Sequence, residues 1–212
     1  MASLNIASMK YLSVILLLVF TATCAQAASV SDPAQSLKNT IEASLDVIYA
    51  PEYAAASLDE KQKLIRDVVE KKYNLDILIR RAIGRNWSLM NESEQVRVLE
   101  LVKQLVVKAY IGGLNGKARP QVIFEKSIQV SDKRLEVPSL VITGDKTIHV
   151  MYRLGRMQSG WEIYDIVAED ISVVSNYRQQ FDDHFRKGNG AELIQKLQGL
   201  LERENIGEDI KL

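Results

Sequence analysis

Within one run of the chain, from Trp161 to Phe181, the spacing of apolar residues changes from that of a strand to that of a helix. Up to Val167, successive residues fall into two alternating sets, the period of two expected when each strand face meets different surroundings. Beyond Glu169, apolar positions recur every three or four residues, which is typical of a helix. The alternating sets are Trp161, Ile163, Asp165 and Val167 against Glu162, Tyr164 and Ile166, and the helical positions are Ile171, Val174, Tyr177 and Phe181. A strand that leads directly into a helix favours a fold that packs helices on a sheet.

Helix signals fill the chain before this run. An N-cap followed by proline, or a Ser or Asn with Glu three residues later, satisfies the free N–H groups of a first helical turn. Glycine is the usual residue just beyond a last turn. The predicted helices begin at Asp32-Pro33, at Ser57 with Glu60, near Leu75 and at Asn91 with Glu94; the third is expected to stop at Gly84 and the fourth at Gly112-Gly113.

Strand signals follow the fourth helix. Alternating apolar residues predict strands over about 122–130, 137–143, 148–154 and 161–167, and short turn sequences separate them. Short connections favour antiparallel pairing. A last helix is predicted from Ala191 to Glu204. Helices, then consecutive strands, then helices predict an α+β fold, in which a helical layer packs on a curved, mainly antiparallel sheet of four to five strands.

The N-terminus has the pattern of a secretory signal. Lys10 precedes a mostly apolar run from Leu12 to Phe20, and Ala25-Gln26-Ala27 is an A-x-A cleavage pattern. We therefore expect residues 1–27 to be removed and 28–212 to form one domain; translation starting at Met9 rather than Met1 would shorten the charged region. A lipoprotein anchored through Cys24 is the alternative, which the residues before that cysteine do not favour. Cleavage after Ala27 would remove the chain's only cysteine.

The charge balance argues against some classes of partner. The chain has 27 Lys and Arg against 27 Asp and Glu. Nucleic-acid binding rests on clustered cations that neutralise many phosphates, and steady attachment to an anionic membrane needs a cationic excess. The composition therefore favours a soluble, exported, globular domain, and the chain is long enough to bury a sizeable core.

Groups that would support catalysis are few. His149 and His184 have no metal-ligand partner at helical or strand spacing, and no nucleophile elbow, phosphate loop or zinc motif occurs. A small-pocket isomerase, with an Asp and a Tyr in an apolar cavity, remains as an alternative. Its candidates are Asp165, Tyr152 and Tyr164. Simple alternation places Asp165 and Tyr164 on opposite strand faces, so we favour a structural, hydrogen-bonding role for Asp165, no enzyme activity and no metal site.

Two stretches resemble the periplasmic phospholipid-binding proteins of the MlaC, or toluene-tolerance, family. Their pattern is a Trp, a Tyr-Asp pair, Glu-Gly-(Val/Ile)-Ser and Tyr-Arg-x-x-Phe, and this chain departs from it at Asp170, where the family usually has Gly. The matching residues are Trp161, Tyr164-Asp165, Glu169, Ile171-Ser172, Tyr177-Arg178 and Phe181, and earlier Leu75-Asp76, Gly84, Trp87, Glu94-Gln95, Tyr110-Ile111 and Leu114. The resemblance covers about 33–200.

The resemblance implies a soluble carrier that moves phospholipid across the periplasm and maintains outer-membrane lipid asymmetry. It implies an apolar cavity between helices and sheet, with phospholipid as cargo and no cofactor. Its partners would be an inner-membrane ABC lipid-transporter complex and an outer-membrane lipoprotein–porin complex, with the carrier itself a monomer. Carriers of hopanoids are an alternative, although they usually lack the Tyr-Arg-x-x-Phe pattern. A pure adaptor between membrane complexes, with no cavity, is another.

Candidate site residues follow from the same resemblance, since periodicity alone does not separate a cavity from a filled core. Apolar residues of the long helix are expected to face the last two strands. The predicted lipid-binding residues are Leu101, Leu105, Val106, Tyr110, Val150, Tyr152, Tyr164 and Ile166. Arginine binds two oxygens at once, so Arg80, Arg85 and Arg178 are candidates for contact with a lipid head group or a partner.

Overall fold

The computed structural model describes residues 32–114 and 116–203. The predicted signal segment and Cys24 lie outside these residues, as does Glu204, the expected end of the last helix. Among the described residues, the helices are α1 (Pro33–Tyr49), α2 (Leu58–Glu70), α3 (Leu75–Ile83), α4 (Glu92–Leu114), α5 (Val173–Phe185) and α6 (Gly190–Leu201). No helix in this part of the chain has both the length and the apolar character needed to cross a membrane.

Side-chain caps fix the helix starts, as the sequence predicts. Asp32 accepts a hydrogen bond from the N–H of Ala34. Ser57 and Glu60 form a complete capping box. α4 begins in the same way, because Asn91 accepts from the N–H of Glu94 and the Glu94 carboxylate accepts from the N–H of Asn91. These bonds satisfy N–H groups that the helices themselves leave free.

The helix ends agree with prediction in one case and differ in another. α3 stops at Gly84, whose φ of 61° is a conformation that favours glycine. α4 was expected to end at Gly112-Gly113, and it continues to Leu114 instead. Glycine lowers helix stability by only about 1 kcal/mol, which the packing of a 23-residue helix offsets.

The strands form one antiparallel sheet in the order β1-β3-β4-β5-β6, with β2 also paired to β3. The α+β prediction is confirmed, although the described residues form six strands where four to five were expected. The strands are β1 (Gln121–Phe124), β2 (Ile128–Ser131), β3 (Arg134–Thr143), β4 (Lys146–Met157), β5 (Gly160–Ala168) and β6 (Ile171–Ser172).

A proline divides the first predicted strand into β1 and β2. Both strands pair with β3, on either side of Pro138. The Pro138 carbonyl accepts a hydrogen bond from the N–H of Glu125, so it points toward β1. The nitrogen of Pro138 lies on the same side of the strand and carries no hydrogen. The ladder therefore lacks a donor at this position and is interrupted.

A β-bulge in β5 overturns the simple alternation predicted for this strand. Leu154 pairs with Ile163 and Arg153 pairs with Asp165, so Tyr164 is the extra residue. Tyr152 pairs with Ile166. Ile163 and Ile166 therefore share the face of Leu154 and Tyr152, whereas Asp165 lies on the opposite face with Arg153. One inserted residue exchanges the faces of every later side chain.

Most of the buried apolar residues in the described part of the chain fall into three clusters instead of one continuous core. The first joins α3, α4, α5 and α6. The second joins α1 to the sheet around Leu154, and the third joins α1, α2 and α4 around Ile65. Four of the predicted lipid-binding residues belong to none of these clusters, namely Val106, Val150, Tyr164 and Ile166. The space where the clusters meet is where a cavity is expected.

We expect Asp170→Gly to stabilise the fold. Glu169 and Asp170 form the turn between β5 and β6 with φ values of 46° and 65°, in the left-handed region where a side chain is strained. Glycine removes that strain but adds freedom to the unfolded chain, which leaves a net gain of about 0.5–1 kcal/mol. Urea unfolding measures this gain. Asp132→Gly, in a turn without positive φ, should give none; equal effects for both variants would contradict the explanation.

Acid should weaken an ion pair that joins α2 to α4. Arg66 donates to both carboxylate oxygens of Glu100 at 2.6 Å, and this bond lowers the pKa of Glu100 from 4.5 to about 2. The pair therefore stabilises the fold above about pH 4.5, and this contribution is lost as the pH falls toward 2. Because both side chains are partly exposed, we expect about 1 kcal/mol. Glu100→Gln should be less stable at neutral pH, and the difference should shrink on acidification; a difference independent of pH would contradict this assignment.

Candidate functional site

An apolar cavity lies among α3, α4, α5, α6 and strand β5. Its volume is about 120 Å³. Each of these elements contributes an apolar wall, among them Leu78, Val102, Val106, Ile166, Tyr177 and Phe181. Apolar walls offer water no hydrogen-bond partners, so a space of this kind favours apolar guests.

Helical spacing creates this lining. On α4, Val102, Leu105 and Val106 fall at intervals of three and four residues, so they share one face of the helix. Val106 is 40% exposed even though it lies in the middle of the helix and lines the cavity. An apolar side chain that lacks contacts at this position marks incomplete packing of the interior.

The structure brings together three of the predicted lipid-binding residues at this cavity: Leu105, Val106 and Ile166. Leu101 lies one helical turn from Leu105, fully buried in the first cluster. The sequence prediction did not include the walls from α3 and α5. Their signal was present in the helical spacing of Leu78 with Ala82 and of Tyr177 with Phe181, but the same spacing is also expected of a closely packed core.

Two tyrosines lie beside the cavity region, against the other two clusters. Tyr152 borders the second cluster and Tyr110 the third. Burial raises the pKa of Tyr152 to about 12. Burial is also the main reason that the pKa of Tyr110 lies above its ordinary value, and the nearby Tyr152 raises it further. Both hydroxyls are therefore neutral at physiological pH, which suits an apolar surrounding.

Tyr164 and Val150 lie elsewhere. The Tyr164 ring covers Gly155, where an added Cβ would lie 3.2 Å from the ring, and the Arg81 guanidinium lies 5.1 Å above the ring centre. Gly155 follows the core residue Leu154, so its Cβ position and the Tyr164 ring are on the outer face of the sheet. The bulge in β5 is the reason that Tyr164 and Ile166 lie on opposite faces of the sheet. Val150 lines a second pocket at the sheet rather than the cavity.

The second pocket is larger, at about 390 Å³, and has a different chemistry. Pro138, Met151 and Val167 give it an apolar floor, while carboxylates of Glu125 and Glu169 contribute to its lining. Carboxylates repel a phosphate group and lose hydration beside an acyl chain. The smaller apolar cavity is therefore the better candidate for the predicted lipid site.

The three candidate arginines have contacts within the protein. Arg80 lies over the ring of Trp87, 4.6 Å from its centre. Arg85 forms an exposed ion pair with Asp182 at 3.4 Å. Arg178 donates to the carbonyl of Arg81 at the end of α3. Contact of these residues with a head group or a partner stays a prediction.

The two stretches of family resemblance meet in space. Arg178 lies against Gly84, where an added Cβ would be 3.2 Å from its Nε atom. The Asn86 amide donates to the Asp182 carboxylate at 2.7 Å, and this bond is the main cause that lowers the pKa of Asp182. The end of α3 is thus fixed on α5, and both helices form walls of the cavity.

Asp165 has the structural role that the sequence favoured. Its carboxylate accepts hydrogen bonds from the Ser172 hydroxyl at 2.9 and 3.0 Å and from the N–H of Ile166 at 2.9 Å. Arg153 contacts it at 3.2 Å. These partners hold the start of α5 on β5. Asp165 and Tyr164 both lie on the outer side of the sheet, away from Tyr152, so these three residues do not converge on one pocket.

Metal-binding side chains do not cluster in the part of the chain that the structure describes. No group of three His, Cys, Asp or Glu side chains lies close enough there to hold an ion.

Comparison with known proteins identifies the family. The model of the family described as MlaC protein matches residues 38–199 of this chain. The chain therefore belongs to the MlaC family. No curated protein sequence matches it significantly.

Solved structures share the fold. Seven chains match, among them a phospholipid-binding protein from Ralstonia solanacearum, whose structure was determined in complex with a phospholipid. The TM-score is 0.71 at 22% sequence identity, and the alignment covers 81% of this chain and 97% of the other.

Proposed function

We propose that this protein binds phospholipid by its acyl chains and carries it through the aqueous periplasm. The observation that supports the proposal most directly is the apolar cavity among α3, α4, α5 and β5. Membership of the MlaC family supports it independently, and the Ralstonia solanacearum protein shows that this fold accommodates such a ligand.

The energetics explain why a carrier is needed. Two acyl chains contain roughly 30 methylenes, and exposing each to water costs about 0.8 kcal/mol, so free transfer is opposed by on the order of 20 kcal/mol. A protein that encloses the chains removes most of this cost. The head group stays in water and needs little specific recognition, which agrees with a cavity lining that includes no cation among the described residues.

The cavity must enlarge to accept its cargo. Its volume of about 120 Å³ holds part of one acyl chain. The exposed, cavity-lining Val106 and the division of the core into three clusters indicate where the space extends: between α4 and the core-facing side of β4 and β5. Tyr110 and Tyr152 border this region, and we include them with Leu101, Leu105, Val106 and Ile166 in the proposed lipid site.

The wider proposal follows the family. The chain would be exported, cleaved after Ala27 and function as a monomeric single domain over 28–212. It would exchange phospholipid with an inner-membrane ABC lipid-transporter complex and an outer-membrane lipoprotein–porin complex, and so maintain outer-membrane lipid asymmetry. Binding without catalysis fits the scattered positions of Asp165, Tyr152 and Tyr164.

Native mass spectrometry of the processed protein, purified from cell envelopes without detergent, tests the proposal. We expect one added mass per protein, identified as phospholipid after extraction. A hopanoid in its place would support the related carrier. A protein that purifies empty and takes up no phospholipid from detergent would overturn the carrier function and favour an adaptor.

A further inference from the structure

Two hairpin turns lie side by side at one end of the sheet. The β2–β3 turn leads from Ser131 to Arg134, and the β4–β5 turn leads from Met157 to Gly160. Arg134 pairs with Gly155 of β4, and the N–H of Arg156 donates to the carbonyl of Lys133 at 2.9 Å. The two turns and the strand ends that lead into them, over 128–134 and 156–160, therefore form one surface, which we call the hairpin end.

Exposed apolar side chains and cations share the hairpin end. Ile128 is 50% exposed, Val130 53% and Met157 38%, although each would gain from burial. The surrounding cations Lys133, Arg134 and Arg156 are exposed, and no carboxylate within the described residues forms an ion pair with them. Asp132 is the acidic residue of the two turns, so the surface has a positive excess.

The arginines at the end of α3 provide a contrast. Arg80 lies over Trp87, Arg81 lies over Tyr164 and Arg85 pairs with Asp182. Their guanidinium groups therefore already contact other side chains of the same protein. The cations of the hairpin end have no such contacts within the described part of the chain, so they remain available to an external anion.

We propose that the hairpin end binds the surface of an anionic phospholipid bilayer. Cations attract anionic head groups, and neighbouring apolar side chains enter the boundary between head groups and acyl chains. A bilayer surface adapts its shape to the protein, so it suits a small surface such as the hairpin end, which has only three exposed apolar side chains. Such a contact places the carrier on its lipid source or destination without a protein receptor, which goes beyond the carrier function itself.

Strand addition by a partner protein suits this edge less well. β2 has four residues, and its register shifts at Val130, between Gln129 and Ser131. Short strands, bulges and nearby cations are the features that protect sheet edges from pairing with another chain. Three exposed apolar side chains also fall short of the area that a stable protein interface buries on each side, about 800 Å².

Vesicle flotation tests this proposal with the processed chain from Ala28 onward, since the apolar signal segment would itself attach to lipid. Vesicles of phosphatidylglycerol and phosphatidylethanolamine are compared with phosphatidylcholine alone at low salt. We expect binding to the anionic vesicles only. Replacement of Lys133, Arg134 and Arg156 by Gln should weaken it roughly fivefold per cation, or about 100-fold in total. Replacing Ile128 and Val130 by Ser should also weaken it while leaving the charge unchanged.

The matched control replaces the exposed Lys63, Lys71 and Lys72, on and just after α2, by Gln, which removes the same charge from another surface. We expect this variant to bind anionic vesicles within about twofold of the unchanged protein. Thermal unfolding monitors the fold of every variant. No binding to anionic vesicles, or equal losses in the two triple variants, would overturn the proposal. Neither result would affect the proposed cargo, because bound lipid is measured separately by mass spectrometry.

Discussion

Val106→Glu is expected to abolish the retention of phospholipid while leaving the protein folded. Val106 lines the cavity, and its 40% exposure lets a carboxylate reach water when no lipid is bound. With acyl chains in place, the same carboxylate would be enclosed by methylenes at a cost of several kcal/mol. Each 1.4 kcal/mol is a factor of ten, so the affinity should fall by at least about 100-fold. Lipid extraction and native mass spectrometry measure the loss.

Val96→Glu is the matched control for this variant. Val96 lies on the same helix α4, is 69% exposed and contributes no wall to the cavity. The Val96→Glu substitution adds the same charge to helix α4, at a position away from the proposed acyl-chain site. We expect Val96→Glu to retain as much phospholipid as the unchanged protein. Equal lipid content in both variants would show that the acyl chains do not lie beside Val106.

Asp165→Ala should give the largest loss of stability, about 2–4 kcal/mol in the free energy of unfolding. Asp165 is 7% exposed, and its removal leaves the Ser172 hydroxyl and two backbone N–H groups without their acceptor and Arg153 without one of its two carboxylates. Buried polar groups that lose a partner cost about 1–3 kcal/mol, and broken buried ion pairs cost more. Urea unfolding measures the change.

An exposed turn carboxylate provides the comparison for Asp165. Asp145→Ala, in the turn between β3 and β4, should stay within about 0.5 kcal/mol of the unchanged protein. Asp165→Asn, which keeps the shape of the side chain, should retain phospholipid under conditions where it is folded. A stable Asp165→Ala protein would contradict the structural role, and a folded Asp165→Asn protein that loses its lipid would place Asp165 at the ligand.

Much of the fold was predictable because it depends on local chemistry. Caps such as Ser57 with Glu60, and the stop at Gly84, are determined within a few residues, and both appear in the structure as expected. Antiparallel pairing followed from short connections. The division into β1 and β2 was harder to foresee, because it results from Pro138 in a different strand.

The site was less predictable, because it depends on contacts between distant elements. A bulge at Tyr164 has no signature in a single sequence, and it moves Tyr164 and Asp165 to the outer side of the sheet. The meeting of α3 with α5, through Gly84 and Arg178, likewise requires the tertiary structure. Helical spacing identified apolar faces on α4 and α5. The same spacing is expected whether the space between such faces is empty or filled with side chains, so it does not predict a cavity.

Photo-crosslinking would test the position of the acyl chains most directly. The protein is loaded with a phospholipid that has a diazirine near the end of one acyl chain, irradiated and analysed by peptide mapping. We predict labels on α4 around Leu105 and Val106, and on β5 at Ile166. Labels on Met151 and Val167, which line the second pocket, would contradict the proposed lipid site and place the cargo on the opposite face of the sheet.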